Sequence, residues 1–150
     1  MSSELHHTLV VANRTAATPD LMAEIERRAS ERPTRFTLLV PDAAKGKTAD
    51  WTLEAALKAL RRAAGGPTGR QIARVSGRVT GLDAVESVRA ALSEQHVDDV
   101  IVSTLPARRS LWLRRNVPDR IHELGVPVTV ITPPQERKLG LQGLPMTGPG

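Results

Sequence analysis

Short apolar runs alternate with amphipathic stretches along this chain of 150 residues, and the alternation limits its fold more than any other feature. Each connection between neighbouring runs is long enough for a helix, and no hairpin signal joins two of them. Strands joined by such crossovers pair in parallel. The sequence therefore predicts a single-domain α/β fold, an open five-stranded parallel sheet with helices on both faces. The expected strands are residues 7–12, 36–40, 71–79, 99–104 and 126–131.

Capping residues mark the starts of the expected helices. Thr18, Pro19 and Asp20 supply an N-cap, a proline at the first helical position and an acid in the first turn. Asp83, followed by Glu86, is a variant of the capping box. The apolar stripes of the first three helices are Leu21, Met22, Ile25 and Ala29; Leu53, Leu57, Leu60 and Ala64; and Val85, Val88 and Leu92.

The composition fits this architecture. Hydrophobic residues make up 40% of the chain but aromatic ones only 2%, so the core must be built from aliphatic side chains, as in parallel sheets covered by helices. The absence of cysteine excludes a disulfide framework, a thiolate metal site and a cysteine nucleophile. The net charge of +5 suits an anionic partner, but an arginine-rich composition alone gives the same excess. We therefore do not expect specific nucleic-acid binding.

We expect neither a secretory signal nor a membrane-spanning segment in this sequence. The opening MSSELHHTLVVANR lacks the basic leader and long apolar stretch of a secretory signal. No apolar run approaches the about 20 residues of a membrane-spanning helix. We therefore expect a cytoplasmic protein with no membrane partner. Residues 133–150 are rich in glycine and proline, and we expect a disordered tail after a domain of residues 1–132.

The segment PDAAKGKT, which begins at Pro41, partly matches a phosphate-binding P-loop. Gly46, Lys47 and Thr48 fit that pattern, and the segment stands between a strand and a helix. Its first glycine is replaced by Pro41, which lacks an amide hydrogen. Asp50 is the expected helix cap, so the helix begins too late for a P-loop. We expect an ordinary loop after the second strand.

Ligands of open parallel sheets bind beyond the carboxyl ends of the strands, where the strand order reverses. The candidate site is therefore formed by the loops after the first, second and fourth strands. Arginines near the third loop can hold phosphate or carboxylate through paired N–H donors. The alternative is a solvated surface beside Leu111, Trp112 and Leu113, which pack inward or against a partner. The candidate ligand-binding residues are Asn13, Arg14, Thr15, Pro41, Asp42, Ser103, Thr104, Arg108, Arg109, Arg115 and Asn116.

No set of residues indicates catalysis or a metal centre. Neither Ser103 nor Ser110 lies in a Gly-x-Ser-x-Gly elbow. Asp98 and Asp99 precede a strand, and we expect them to cap a turn. The histidines lack ligand spacing with an acid, so we expect helix capping or exposure. They are His6, His7, His96 and His122.

Two segments resemble the universal stress protein family. VSGRVTGLDAVESVRAALSEQHVDDVIVSTL is similar to that family's third strand, the following helix and the fourth strand. NVPDRIHELGVPVTVI is similar to its closing helix and last strand, and the resemblance covers residues 8–131. It implies a Rossmann-like sheet with strand order 3-2-1-4-5 and a stress-related binding or regulatory role. It also implies a homodimer formed through the last strand, residues 126–131, whose apolar edge needs a cover.

Members of that family that bind ATP carry a glycine motif after the fourth strand. Its three glycines correspond here to Val102, Leu105 and Arg115, and only Asn116 keeps a polar side chain at the following position. The family's acid at the end of the first strand is missing as well. We therefore expect that ATP is not bound in the family's manner, although an adenine nucleotide or another small anion stays a candidate ligand.

These features predict a binding or regulatory protein rather than an enzyme. One alternative is a nucleotide-dependent transferase or hydrolase of the same α/β group, which would use the arginine loop. A second is a binder of nucleic acid or of an acidic partner through the basic surface. Binding that weakens steeply with salt would mark the second alternative.

Overall fold

The computed structural model describes residues 6–12, 18–41, 53–65, 75–104 and 110–132. Within these ranges strands and helices alternate, except that two helices follow one another before the last strand. The elements are β1 (His6–Val11), α1 (Pro19–Glu31), β2 (Thr34–Val40), α2 (Leu53–Gly65), β3 (Val75–Val79), α3 (Ala84–Glu94), β4 (Asp99–Ser103), α4 (Leu111–Arg114), α5 (Val117–His122) and β5 (Val128–Ile131).

The strands form one parallel sheet in the order β3-β2-β1-β4-β5. β1 lies at its centre, where Val10 is in register with Leu38 of β2 and Ile101 of β4. Since the crossovers of a parallel sheet keep one hand, a reversal of strand order places helices on both faces. The predicted α/β sheet and its strand order are confirmed.

Each face of the sheet carries its own apolar layer, because successive side chains of a strand point to opposite faces. One layer packs under α1 and α2 and the other under α3 and α5. Burying each large aliphatic side chain contributes about 1.5–3 kcal/mol, so these two layers dominate stability. The α1/α2 layer includes Val10, Phe36, Leu38, Ile101, Leu21, Ile25 and Leu60. The α3/α5 layer includes Leu9, Val11, Leu39, Val100, Val102, Val88 and Ile121.

Two of the expected helix caps are confirmed. Leu21 N donates to Thr18 Oγ1 at 3.4 Å, and Glu86 N donates to Asp83 Oδ1 at 2.8 Å. Each cap satisfies a first-turn amide that has no partner within the helix. Asp50, the expected cap of α2, lies outside the described residues.

Residues 111–122 form two helices, whereas the sequence indicates one, over NVPDRIHELG. The additional helix, α4, forms over LWLR, just before it. Asn116 follows in the left-handed conformation, at φ 56° and ψ 36°, and separates α4 from α5. Gly125 has φ 98° and lies beyond α5, as expected of a helix-ending glycine. β5 starts only at Val128, because Pro127 has no amide hydrogen for the sheet.

Parts of other predicted segments lie outside the described residues. These are residues 71–74 of the predicted third strand and the whole tail, residues 133–150. Among the helices that the structure describes, none has the length and apolar character needed to cross a membrane.

Candidate functional site

The strand order reverses at the carboxyl edge of the sheet between β1 and β4. The helices that follow these strands, α1 and α5, pack in the apolar layers of opposite faces, and open parallel sheets bind ligands at such a reversal. Ala12 follows β1 directly, while Ser103 ends β4 and Thr104 follows it. All three residues are buried. The structure thus places the predicted residues of the fourth strand at the reversal point, next to the end of β1.

Hydroxyl groups fix the end of β4. Thr104 N donates to Ile131 O at 2.9 Å, which carries the pairing with β5 one residue past the end of β4. Thr104 Oγ1 also lies 2.8 Å from Thr132 Oγ1. Ser103 is 1% exposed and Thr104 2%. Thr104 therefore holds the strand end in place, and the side chains of both predicted site residues are buried there.

The end of β2 lies on the other side of β1. Pro41 is buried directly after β2, and Thr80 N donates to Val40 O at 2.9 Å, which joins the ends of β2 and β3. Because β1 separates β2 from β4, Pro41 and Ser103 flank the central strand on opposite sides. Both belong to the same edge of the sheet, as the sequence predicts.

The turn between α4 and α5 carries the exposed part of the candidate site. Ser110 caps α4, since Leu113 N donates to Ser110 Oγ at 3.1 Å. Arg115 and Asn116 follow α4 and are exposed. Within the described part of the chain, the Asn116 side chain makes no capping hydrogen bond, but the backbone carbonyl of Asn116 accepts from Arg120 N at 2.9 Å. This turn therefore presents one arginine and one carboxamide to solvent.

Trp112 does not belong to that exposed surface. It is half-buried and packs against the α3/α5 layer. Leu113 is half-buried too, whereas Arg114 and Arg115 are exposed. Of the three apolar residues expected to pack inward or against a partner, Trp112 thus packs inward.

Six of the candidate residues lie outside the described ranges, and their place in the site stays a prediction. The same holds for the partial P-loop pattern after Pro41. The six are Asn13, Arg14, Thr15, Asp42, Arg108 and Arg109.

At the opposite, amino edge of the sheet, Arg28 forms the centre of an ion-pair network. From the last turn of α1 it donates to Glu24 Oε2 at 2.7 Å and to the Asp99 carboxylate. Its third bond goes to Thr129 Oγ1 at 3.0 Å. Thr8 Oγ1 donates to Asp99 Oδ1 at 2.7 Å. One arginine therefore ties α1 to both β4 and β5.

The charges of this network stabilise one another. Hydrogen bonds from Arg27 and then Arg28 lower the pKa of the Glu24 carboxyl, against the effect of its burial. Burial opposes the charge of Arg28, but hydrogen bonds with Glu24 and Asp99 outweigh it and raise the pKa of the guanidinium. The described network is thus an internally paired structure, and it has no feature of a ligand site.

The expectation of exposed or capping histidines is wrong for His7, which is 3% exposed. Its ring bonds to His96 O and to Thr37 Oγ1, residues 89 and 30 positions away in the sequence. No local pattern could indicate such distant partners. Among the residues that the structure describes, no group of three or more His, Cys, Asp or Glu side chains could hold a metal ion.

The order and direction of the strands, with helices on both faces, define a Rossmann-like α/β protein. No protein-family model and no curated protein matches the sequence. A similar solved structure is Phytolacca americana UGT2 complexed with UDP-2-fluoro-glucose and pterostilbene. The similarity covers 88% of this chain at 16% sequence identity, with a TM-score of 0.53. The chain spans only 31% of UGT2, and the likeness shows a shared fold alone.

Proposed function

We propose that this chain is a universal-stress-protein-like binding or regulatory protein that holds a small anionic ligand at the carboxyl edge of β1 and β4. The observation that carries the proposal is the reversal of strand order between these two strands. Ligands of open α/β sheets bind at such a point. The sequence resemblance over residues 8–131 supports the family, which implies the same strand order.

Arginine side chains supply the positive charge for such a ligand. Arg114 and Arg115 are exposed where α4 ends, and Arg108 and Arg109 precede this helix in the sequence. Guanidinium groups offer paired N–H donors that match phosphate and carboxylate oxygens. Because α5 runs back from this turn toward the start of β5, the turn lies on the carboxyl side of the sheet. An anionic group is therefore the ligand chemistry that suits this edge.

Recognition would differ from that of the ATP-binding members of the family. The first glycine of their motif corresponds to Val102, which is fully buried at 0% exposure and packs in the α3/α5 layer. The third corresponds to Arg115, whose long side chain stands where glycine would let a phosphate approach the backbone. Arginine side chains would thus replace backbone amides as the donors.

Thermal unfolding with ATP, UDP-glucose and inorganic phosphate, each with and without magnesium, tests this proposal. A ligand present at about 100 times its Kd adds about 2.7 kcal/mol to the free energy of unfolding. We expect at least one of these anions to raise Tm. Arg115→Ala should remove the increase, whereas Arg62→Ala should keep it, because Arg62 is an exposed arginine in the last turn of α2.

The outcomes separate the alternatives. If no anion raises Tm, or if Arg115→Ala binds as well as the wild type, the arginine-held anion site is wrong. Magnesium-dependent ATP binding that survives Arg115→Ala would favour the family's usual mode. Stabilisation by UDP-glucose alone would favour the nucleotide-dependent transferase alternative. Affinity for DNA that falls steeply with salt would favour the basic-surface alternative.

We further propose a homodimer formed through β5. This strand lies at one end of the described sheet, and its Val130 is 41% exposed. An apolar edge strand is a template for pairing with another chain. Light scattering should give the mass of a dimer, and Val130→Lys should give a monomer. Val79→Lys changes an equally exposed valine, at 43%, on the opposite edge strand and should leave the mass unchanged. A monomeric wild type would contradict the proposal.

A further inference from the structure

His7 fastens three segments of the chain at the amino edge of the sheet. The backbone N–H of His7 donates to Asp98 Oδ2 at 2.8 Å, and the backbone N–H of Asp98 donates to His7 O at 2.8 Å. Its ring Nδ1 lies 2.7 Å from His96 O, and its Nε2 lies 2.8 Å from Thr37 Oγ1. The connection between α3 and β4, residues 95–98, is therefore held to β1 and β2 through one histidine. We call this connection the α3–β4 turn.

The partners of the ring decide which nitrogen carries the hydrogen. The carbonyl of His96 only accepts, so His7 Nδ1 must carry a hydrogen and donate it. Nε2 of the neutral ring is then an acceptor, and the Thr37 hydroxyl donates to it. Both ring nitrogens are thus satisfied in the neutral state, as a buried polar group requires.

We propose that His7 is an acid-sensitive latch, whose neutral ring holds the α3–β4 turn against the sheet and whose protonation releases it. A protonated ring carries a second hydrogen, on Nε2, which points at the hydroxyl hydrogen that Thr37 donates in the neutral state. The Thr37 hydroxyl must then rotate its hydrogen away from Nε2. His7, which is only 3% exposed, then carries a positive charge. A buried charge without full compensation is costly.

The surroundings favour the neutral ring. Burial is the largest cause that lowers the pKa of His7, and the charge of Arg35 acts in the same direction. The hydrogen bond to the His96 carbonyl and the charge of Asp98 oppose them without restoring the ordinary value. The charged or titratable groups at the described part of this corner are Arg35 of β2, Asp98 and His96 of the α3–β4 turn, and the neighbouring His6, which lies 3.8 Å from Asp98 and 3.2 Å from Asp99.

The direction of the pH dependence follows from the lowered pKa. The unfolded chain takes up this proton at the ordinary value of 6.5, and the folded chain only at lower pH. Between these two values the open state holds more protons, so the latch weakens as pH falls, by at most about tenfold per pH unit. The pKa values of Glu24 and Asp98 are also lowered, and these carboxylates begin to lose their contribution as pH falls to about 5. The histidine effect therefore begins at higher pH than the effect of the carboxylates.

NMR on the full chain tests the latch in two ways. The ring protons of His7 should titrate below 6.5. Hydrogen exchange of the Asp98 amide, which bonds to His7 O, should lose up to about tenfold of its protection per pH unit below pH 6.5. The amide of Ile101, in the middle of β4, should stay better protected than the Asp98 amide at every pH, because it exchanges only when the strand itself opens. Ring titration at or above 6.5, or equal protection of the two amides, would overturn the latch.

Two variants separate His7 from its neighbour. His7→Asn places a non-titrating amide near the position of Nδ1, so the acid-dependent loss at Asp98 should vanish. His96→Gln removes a ring that is 81% exposed but keeps the backbone carbonyl that His7 binds, so the loss should persist. Persistence of the loss in His7→Asn, or its disappearance in His96→Gln, contradicts the proposal. If His7→Asn does not fold, the ring titration of the wild type decides.

Discussion

The two edges of the sheet differ in how their polar groups are used. At the amino edge, Asp99 and Arg28 belong to a network whose charges bond to one another. At the carboxyl edge, the end of β4 is buried at Ser103 and Thr104, and the charged Arg115 is exposed. One edge therefore uses its charges for stability, while the other exposes an arginine to solvent.

This difference agrees with the logic of parallel sheets. The helices of such a fold end at the amino edge, so the last turn of α1 delivers Arg28 to the start of β4. The loops at the carboxyl edge lead into the helices and tolerate more variety, and function is usually found there. The contrast predicts that substitutions at the amino edge change stability without changing ligand affinity.

Asp99→Ala should produce the largest effect. It removes the carboxylate that accepts hydrogen bonds from both Arg28 and Thr8. The Arg28 guanidinium, on a side chain only 14% exposed, then loses one of its two carboxylate partners. Breaking a buried pair from one side costs about 3 kcal/mol. Urea unfolding should show this loss, and the ligand found by thermal unfolding should bind with unchanged affinity. Glu26→Ala, an exposed control on α1, should stay near the wild type. A small loss of unfolding free energy in Asp99→Ala, or weaker ligand binding by this variant, would contradict the proposed difference between the two edges.

The fold could be predicted because its signals are local. The cap at Thr18, the cap at Asp83 and the spacing of apolar runs each act over a few residues, and the crossover lengths restrict the strands to parallel pairing. The limits of the elements were less accurate. β5 starts later than predicted because Pro127 cannot donate to the sheet, a property that the sequence already displays.

The amino-edge network could not be predicted because its partners are distant in the sequence. Thr8 lies 91 positions from Asp99, and Arg28 lies 71 positions from it. Each residue by itself looks like an ordinary surface polar residue. The candidate site could be predicted only as a region, since parallel topology fixes the edge but not the side chains that converge there. Its arginines at 108 and 109 stay predictions, because they lie outside the described residues.

At the carboxyl edge, Asn116→Ala should have a moderate effect. Asn116 has φ 56°, a conformation that costs an alanine about 1 kcal/mol, whereas asparagine tolerates it and glycine adopts it freely. Asn116→Gly should therefore keep most of the stability that Asn116→Ala loses in urea unfolding. If ligand affinity falls in both variants, the carboxamide contacts the ligand. Equal stability of the alanine variant and the wild type would contradict a left-handed residue at this turn.

The smallest effect should come from Arg27→Ala, and it decides what makes the amino edge strong. Arg27 forms two short ion pairs, to Glu24 and Glu31 at 2.6 Å each, yet its side chain is 53% exposed. Pairs made by an exposed arginine are screened by water and salt, so we expect only a small change in the urea midpoint. Arg28→Ala removes the neighbouring arginine, which is 14% exposed, and should lower the midpoint clearly. Equal losses in the two variants would mean that the number of ion pairs, and not their burial, stabilises this edge.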